Sequence, residues 1–329
     1  MTRRPDVDRA ALDALLARVF AARADLTVER TPTGSSTQVY RIDRHSRGRI
    51  QTFYLRVAET RSVSLAPEVG LHRALLAAGA RVPDVVHYEP FDAGLDRSVM
   101  VTTEIAGAPV RPSVSSVALG VIGRAAGRDL ARVHAVPVRG FGWIRREHGT
   151  PAWPLSAEHD DYASFVSAAS VHAPLRAIGF GPAQAAQTVR LLEEATATGP
   201  TGARGGAAHG DFDVSHIFAA GDTYSGLIDF GELRGTDYPF DFATLELNAE
   251  PGLHGIRAHV RAGYAELHPL PADFDRRLFV ACVLSAAHRL ATWYRRDGDA
   301  AADGWFFRWI RDRLGQLLDA GRLVDPPDA

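Results

Sequence analysis

Residues 26–58 and the residues beyond about 110 are written in different periods, and that switch constrains the fold more than any other feature. LTVERT, TQVYRI and IQTFYLRVA are short, rich in Val, Thr, Ile, Tyr and Phe, and separated by Gly or polar clusters, so they predict antiparallel strands. APEVGLHRALLAAGA follows, with Pro67 in a first-turn position, Leu71 and Leu75 four apart and Gly79 as a stop, and predicts a helix of about three turns. VPDVVHYEP and SVMVTTEI predict two more strands. Then Leu119, Ile122, Ala126, Leu130 and Val133 share one helical face, and beyond Asp241 the chain is mostly helical, most clearly in RLFVACVLSAAHRLATWYRR and WFFRWIRDRLGQLL. GFGW at 140–143 reads as a turn and the Gly-rich TGPTGARGGAA at 198–208 as a loop. The expected organisation is α+β: a small antiparallel-sheet lobe over residues 1–106 and a mainly helical lobe over 107–329. A cleft between two such lobes is a natural ligand site.

Composition narrows the function classes. A formal net charge of −2 argues against a general nucleic-acid binder. No Lys occurs, so all 37 basic residues are Arg and any site needing a fixed cation must use that side chain. The single cysteine, Cys282, excludes an intramolecular disulfide and a multi-Cys zinc site. MTRRPDVDRAALDALLARVF has helical apolar spacing broken by charge, which predicts an amphipathic helix in place of a signal peptide. No apolar run approaches a membrane span, so a cytoplasmic location with no membrane partner is expected.

AAHGDFDVSHIF, residues 207–218, carries the chemistry. Asp211 follows a tight His-Gly turn, His216 stands five residues further on, and Ile217 and Phe218 begin a short strand. YSGLIDF is the returning strand, with Asp229 at its end, and a hairpin of this kind brings residues 216 and 229 together. An Asp to orient a hydroxyl beside ligands for a divalent metal suits phosphoryl transfer, where catalysis is mainly positioning and charge neutralisation. A zinc hydrolase reading fails, because His209 and His216 are seven apart and no HExxH helix exists.

His-Gly-Asp, four residues, a metal-binding position and a downstream Ile-Asp-Phe-Gly resemble the aminoglycoside phosphotransferase family. The resemblance implies the bilobal protein-kinase-like fold, ATP or GTP as phosphate donor, and Mg²⁺. It extends over most of the chain. Arg56 occupies the place of the strand cation that contacts the α and β phosphates, and Glu68 that of its helix partner. MVTTEIAGAPV resembles the hinge, with the backbone of Glu104, Ile105 and Ala106 against the base. TPTGSSTQVY resembles the loop covering the nucleotide, with Ser35 and Ser36 as phosphate donors, although an ordinary polar hairpin loop reads the same way. LARVHAVPVRGFGW and DYPFDFATLE, with Asp241, match further segments. Asp211 would then be the catalytic base, with His216 and Asp229 as metal ligands.

Two residues depart from the family pattern. Arg56 replaces the usual Lys, keeping the charge with a bulkier fork. His216 replaces the usual Asn; a neutral imidazole can ligate a metal, although Mg²⁺ prefers oxygen, and the rival role sits behind a water that takes the ligand's place. Asp213 and Ser215 read as solvated or as backbone caps. The expected partner is a small hydroxylated molecule, in first place an antibiotic. Alternatives are a metabolic kinase for a sugar or amino-alcohol, and a nucleotide-binding pseudokinase acting as a regulatory module.

Overall fold

The computed structural model describes residues 5–20, 25–31, 38–149, 153–237, 239–248, 252–298 and 304–325. The chain divides into two compact units. The first comprises residues 1–106, 145–155 and 225–228. Its helix α1 (Arg9–Phe20) precedes strands β1 (Asp25–Arg30), β2 (Gln38–Ser46) and β3 (Arg49–Val57), helix α2 (Ala66–Ala77), and strands β4 (Val85–Asp92) and β5 (Arg97–Thr103). The strands make one antiparallel sheet in the order β1-β2-β3-β5-β4.

Period two decides what each face of this sheet does. Leu55, Val57, Val99 and Val101 point to one face and pack with Leu12, Leu15, Leu16 and Phe20 of α1. Each such side chain contributes roughly 1.5–3 kcal/mol by leaving water. Met100 points to the other face, where it packs with Ala58, Leu65 and Val69 at the start of α2. Arg56, between Leu55 and Val57, pairs across to Met100 and faces α2 as well. Pro67 stands in the first turn of α2, where its missing N–H costs nothing, and Glu68 follows it.

The second unit comprises residues 107–144, 156–224 and 229–329. It carries β6 (Ala108–Pro109), α3 (Ser116–His134), β7 (Pro137–Arg139), β8 (Phe141–Ile144), β9 (Leu155–His159), α4 (Tyr162–Val166), α5 (His172–Ala177) and α6 (Pro182–Thr198). Strands β10 (Arg204–Ala208), β11 (Ile217–Ala220) and β13 (Arg234–Thr236) follow, and β12 (Thr223–Leu227) is divided between the two units, with residues 225–227 in the first. Helices α7 (Pro239–Leu247), α8 (Ile256–Ala265), α9 (Phe274–Asp297) and α10 (Trp305–Ala320) complete it. The long α9 is buried continuously from Leu278 to Ala287, so it presents apolar residues all round and packs against α6, α7 and α10. Among the described residues no helix is long and apolar enough to cross a membrane.

Two segments differ from expectation. GFGW is not a turn but the strand β8, and the Gly-rich stretch at 198–208 ends in the strand β10. Both belong to a closed set of short strands in the order β10-β13-β8-β9-β7. Gly199 and Gly140 do end elements, α6 and β7, but inside β10 glycine allows close backbone approach: a Cβ at Gly206 would stand 2.5 Å from the carbonyl oxygen of His134.

Candidate active site

Strand β10 delivers the chain into the loop His209–Asp213. Gly210 has a φ of +84°, and a Cβ there would lie 1.8 Å from the carbonyl oxygen of Glu232, so only glycine fits. The loop is clamped from behind by Asp241, in the first turn of α7. One carboxylate oxygen accepts the N–H of His209 at 2.7 Å and the other accepts that of Gly210 at 2.8 Å. Asp241 is fully buried, and His134 Nε2 lies 3.0 Å from its Oδ2. Burial pushes this carboxyl up. The bond to His134, the charges of His134 and His209, and the Gly210 N–H outweigh that and hold it below the usual carboxylate range.

The loop's functional groups converge. His216 Nδ1 lies 2.7 Å from the carbonyl oxygen of Asp211, which can only accept, so the neutral imidazole donates from Nδ1 and keeps its lone pair on Nε2. That Nε2 lies 3.9 Å from Asp229 Oδ2. Asp229 sits just past β12 with a φ of +61°, a left-handed conformation that Asp tolerates better than most residues, and its carboxylate is 51% exposed. Ligand atoms of Asp211, Asp213 and His216 lie within 4.8 Å of one another. Burial lowers the His216 pKa, but the carboxylates of Asp213, Asp229 and Asp211 outweigh it and leave the imidazole above its ordinary value. His209, fully buried, stacks on His216 with ring centroids 5.5 Å apart and leans on Phe230 at 4.7 Å.

In the first unit, Arg56 Nη1 meets Glu68 Oε1 at 3.0 Å, with Glu68 only 2% exposed. The other oxygen of Glu68 is held by Arg146 Nη2 at 3.0 Å. One carboxylate therefore binds two guanidinium groups.

The family model described as "Phosphotransferase enzyme family" (APH) matches residues 27–278. The chain belongs to this family. Among curated relatives, a homoserine kinase of Methylobacterium radiotolerans is 28% identical over 228 residues, covering 65% of this chain. The match spans 64% of that relative's own length, less than two thirds. Among solved structures, aminoglycoside phosphotransferase APH(4)-Ia in a ternary complex with ADP and hygromycin B matches with a TM-score of 0.66 at 14% identity, over 95% of this chain and 100% of that one. Macrolide 2'-phosphotransferase MphH of Brachybacterium faecium matches with a TM-score of 0.56 at 18% identity, over 97% of this chain and 98% of that one. At these identities the likeness is one of fold: the chain has the α+β, protein-kinase-like architecture of the aminoglycoside phosphotransferases.

The chain brings Asp211, His216 and Asp229 together within its second unit and Arg56 and Glu68 together within its first. Glu104, Ile105 and Ala106 follow β5; Glu104 donates its N–H to the Thr52 carbonyl at 3.3 Å. Ser35 and Ser36 lie outside the described residues. Three participants were not legible as such. Asp213 caps Ser215 N at 2.7 Å, as a cap reading expects, but its carboxylate also stands in the cluster with Asp211 and His216. Arg146 shares Glu68 from 78 residues away, which no local pattern signals. Asp241 was noticed only as part of a matching segment; its hold on two loop amides depends on packing that spans 31 and 32 residues.

Proposed function

We propose that this phosphotransferase moves the γ-phosphoryl group of ATP or GTP to a hydroxyl of a small molecule. The observation that carries the reading is the cluster in which Asp211, Asp213 and His216 stand within 4.8 Å while His216 Nε2 faces Asp229. The donor set fits a hard divalent ion: carboxylate oxygens predominate, and the one imidazole has its Nδ1–H committed to a carbonyl so that its Nε2 lone pair is available. His216 and Asp229 would hold Mg²⁺, with Asp213 beside them. Bound there, the ion supplies neutralisation of the phosphate charge.

The chain's own residues do the rest. Asp211 orients the acceptor hydroxyl and takes its proton as the new oxygen–phosphorus bond forms and the bond to the nucleoside diphosphate breaks. Asp241, by fixing the amides of His209 and Gly210, holds the loop that carries Asp211. Arg56, braced by Glu68, contacts the α and β phosphates; the backbone of Glu104, Ile105 and Ala106 takes the base; and Ser35 and Ser36 donate to phosphates. The nucleotide assignment is supported by the ADP complex of the similar APH(4)-Ia structure.

An antibiotic acceptor, with resistance as the outcome, is supported by the antibiotic kinases among the fold neighbours. A new phosphate on a recognition hydroxyl would block target binding through size and charge. A second reading, a small hydroxylated metabolite, is favoured by the homoserine kinase relative. The test is transfer from ATP and GTP, with Mg²⁺, to panels of both acceptor classes. Product that vanishes in Asp211→Asn supports the reading, and product that persists at full rate in that variant overturns the assigned base.

A further inference from the structure

Arg289, on α9, lies deep in the second unit without being sealed from solvent. Its guanidinium donates from one terminal nitrogen to Asn248 Oδ1 at 3.0 Å and from the other to Thr244 Oγ1 at 3.5 Å. Both partners are neutral, and Arg289 makes no ion pair among the described residues. Those bonds use two of the five donors that an arginine carries. Burial weakens the charged form, while the carboxylates of Asp211, Glu232 and Asp213 support it from longer range. The link to the proposed catalytic base is geometric: Asn248, which receives this cation, also reaches Asp213, whose carboxylate stands within 4.8 Å of ligand atoms of Asp211 and His216. A second cation is near. Arg234 stacks 3.7 Å over the ring of Trp143, pairs with Glu232 at 3.3 Å and keeps its side chain 19% exposed. The charge of Arg289 acts on it unfavourably.

Desolvated charge is costly unless it is paired. Of these two guanidinium groups, only Arg234 has a carboxylate within ion-pair distance among the described residues. Asn248 fixes the arrangement, since its amide oxygen receives Arg289 and its nitrogen donates to Asp213 Oδ2 at 3.4 Å. The planar fork held by Asn248 and Thr244 is suited to a carboxylate, which accepts two parallel N–H bonds.

We propose that the acceptor is a hydroxy acid whose carboxylate is received by Arg289, with Arg234 beside it, while its hydroxyl is presented to Asp211. The inference rests on the phosphotransferase reading and narrows it. It makes Arg289 a specificity residue and disfavours polycationic acceptors, which would meet two guanidinium groups in place of a carboxylate.

The test compares L-serine, L-homoserine and glycerate with their carboxamides, and with hygromycin B as a polycationic acceptor. Transfer is followed by mass spectrometry, and binding by calorimetric titration in the presence of a non-hydrolysable nucleotide. The expected result is turnover of one or more acids with the matching amide poorer by about 10- to 100-fold, the range of a charge-assisted bond. Arg289→Gln should raise the acid's KM by a similar factor and leave the nucleotide KM within about two-fold. Arg289→Lys, which keeps the charge and loses the fork, should fall between, and the acid-to-amide comparison needs no variant at all. Transfer only to amides or to hygromycin B would overturn the inference and leave the phosphotransferase reading standing. A raised nucleotide KM with unchanged acid KM would overturn it too, assigning Arg289 to the donor phosphates. Carboxylate-dependent binding that Arg289→Gln abolishes, without transfer, would uphold the anion site and overturn the reaction. Neither binding nor transfer of any acid would overturn the inference.

Discussion

His134 Nε2 stands 3.0 Å from Asp241 Oδ2, and through that carboxylate the end of α3 is tied to the backbone of the loop that carries Asp211. The pair is buried, so its loss leaves charged or polar groups with nowhere to go. Asp241→Asn replaces one acceptor oxygen with an NH₂ facing backbone N–H groups or the imidazole. It should cost about 3 kcal/mol of unfolding free energy and reduce transfer far more than nucleotide binding. Urea unfolding and nucleotide titration check the two halves. Because Asp241 is held below the usual carboxylate range, its contribution is present above the unfolded carboxyl's pKa and is lost as pH falls through the lower folded value.

His216 offers Nε2 toward Asp229 because the Asp211 carbonyl holds Nδ1. His216→Asn, which keeps a ligating atom, should retain turnover within about an order of magnitude, whereas His216→Ala should lose on the order of a hundredfold. The Mg²⁺ concentration giving half-maximal rate should rise in Ala more than in Asn. Equal, small effects of both changes would remove His216 from the metal site.

Glu68 balances Arg56 and Arg146 with one oxygen each. Glu68→Gln removes the buried charge that two guanidinium groups share, although Arg146 keeps Glu59 at 3.6 Å, and should destabilise the first unit by about 3 kcal/mol. The nucleotide KM should rise with it, because Arg56 loses the partner that aims it. A normal KM for ATP and GTP in a folded variant would disconnect the pair from the nucleotide.

His288 donates from Nε2 to the Val166 carbonyl oxygen at 2.7 Å, since a carbonyl only accepts. Burial, the largest influence, brings its pKa down to about 4 from 6.5. The folded state therefore resists a proton that the unfolded chain takes up. Stability from this residue is full above pH 6.5 and is lost as pH falls toward 4. At pH 4.5 the loss should be about 2–3 kcal/mol. His288→Gln should flatten that limb when urea midpoints at pH 7 and 4.5 are compared.

The residues that the sequence placed best are those whose reasons are local. The alternation of Leu55, Arg56 and Val57 put Arg56 on the face opposite its neighbours, and Pro67 announced the helix whose first turn carries Glu68. His216 and Asp229 meet because a strand beginning at Ile217 and a strand ending at Leu227 bracket a short turn. Glycine misled at β8, where Gly142 takes a positive φ inside a strand, and at β10, where the backbones of Thr236 and His134 approach Gly205 and Gly206 closely. Arg146, Arg289 and the place of Asp213 in the cluster were not legible for a different reason. Their meaning lies in contacts such as Arg146 with Glu68 and Arg289 with Asn248, across 78 and 41 residues, which no period encodes.

Phosphoryl transfer in the wild-type chain and in Asp211→Asn tests the central claim most directly. Each protein is incubated with ATP or GTP, Mg²⁺ and the hydroxylated acceptors, and products are read by mass spectrometry. The expected result is a phosphorylated product in the wild type, loss of at least about a hundredfold in Asp211→Asn, and nucleotide binding preserved in that variant. Undiminished product in Asp211→Asn, or no nucleotide binding by the wild type, would contradict it.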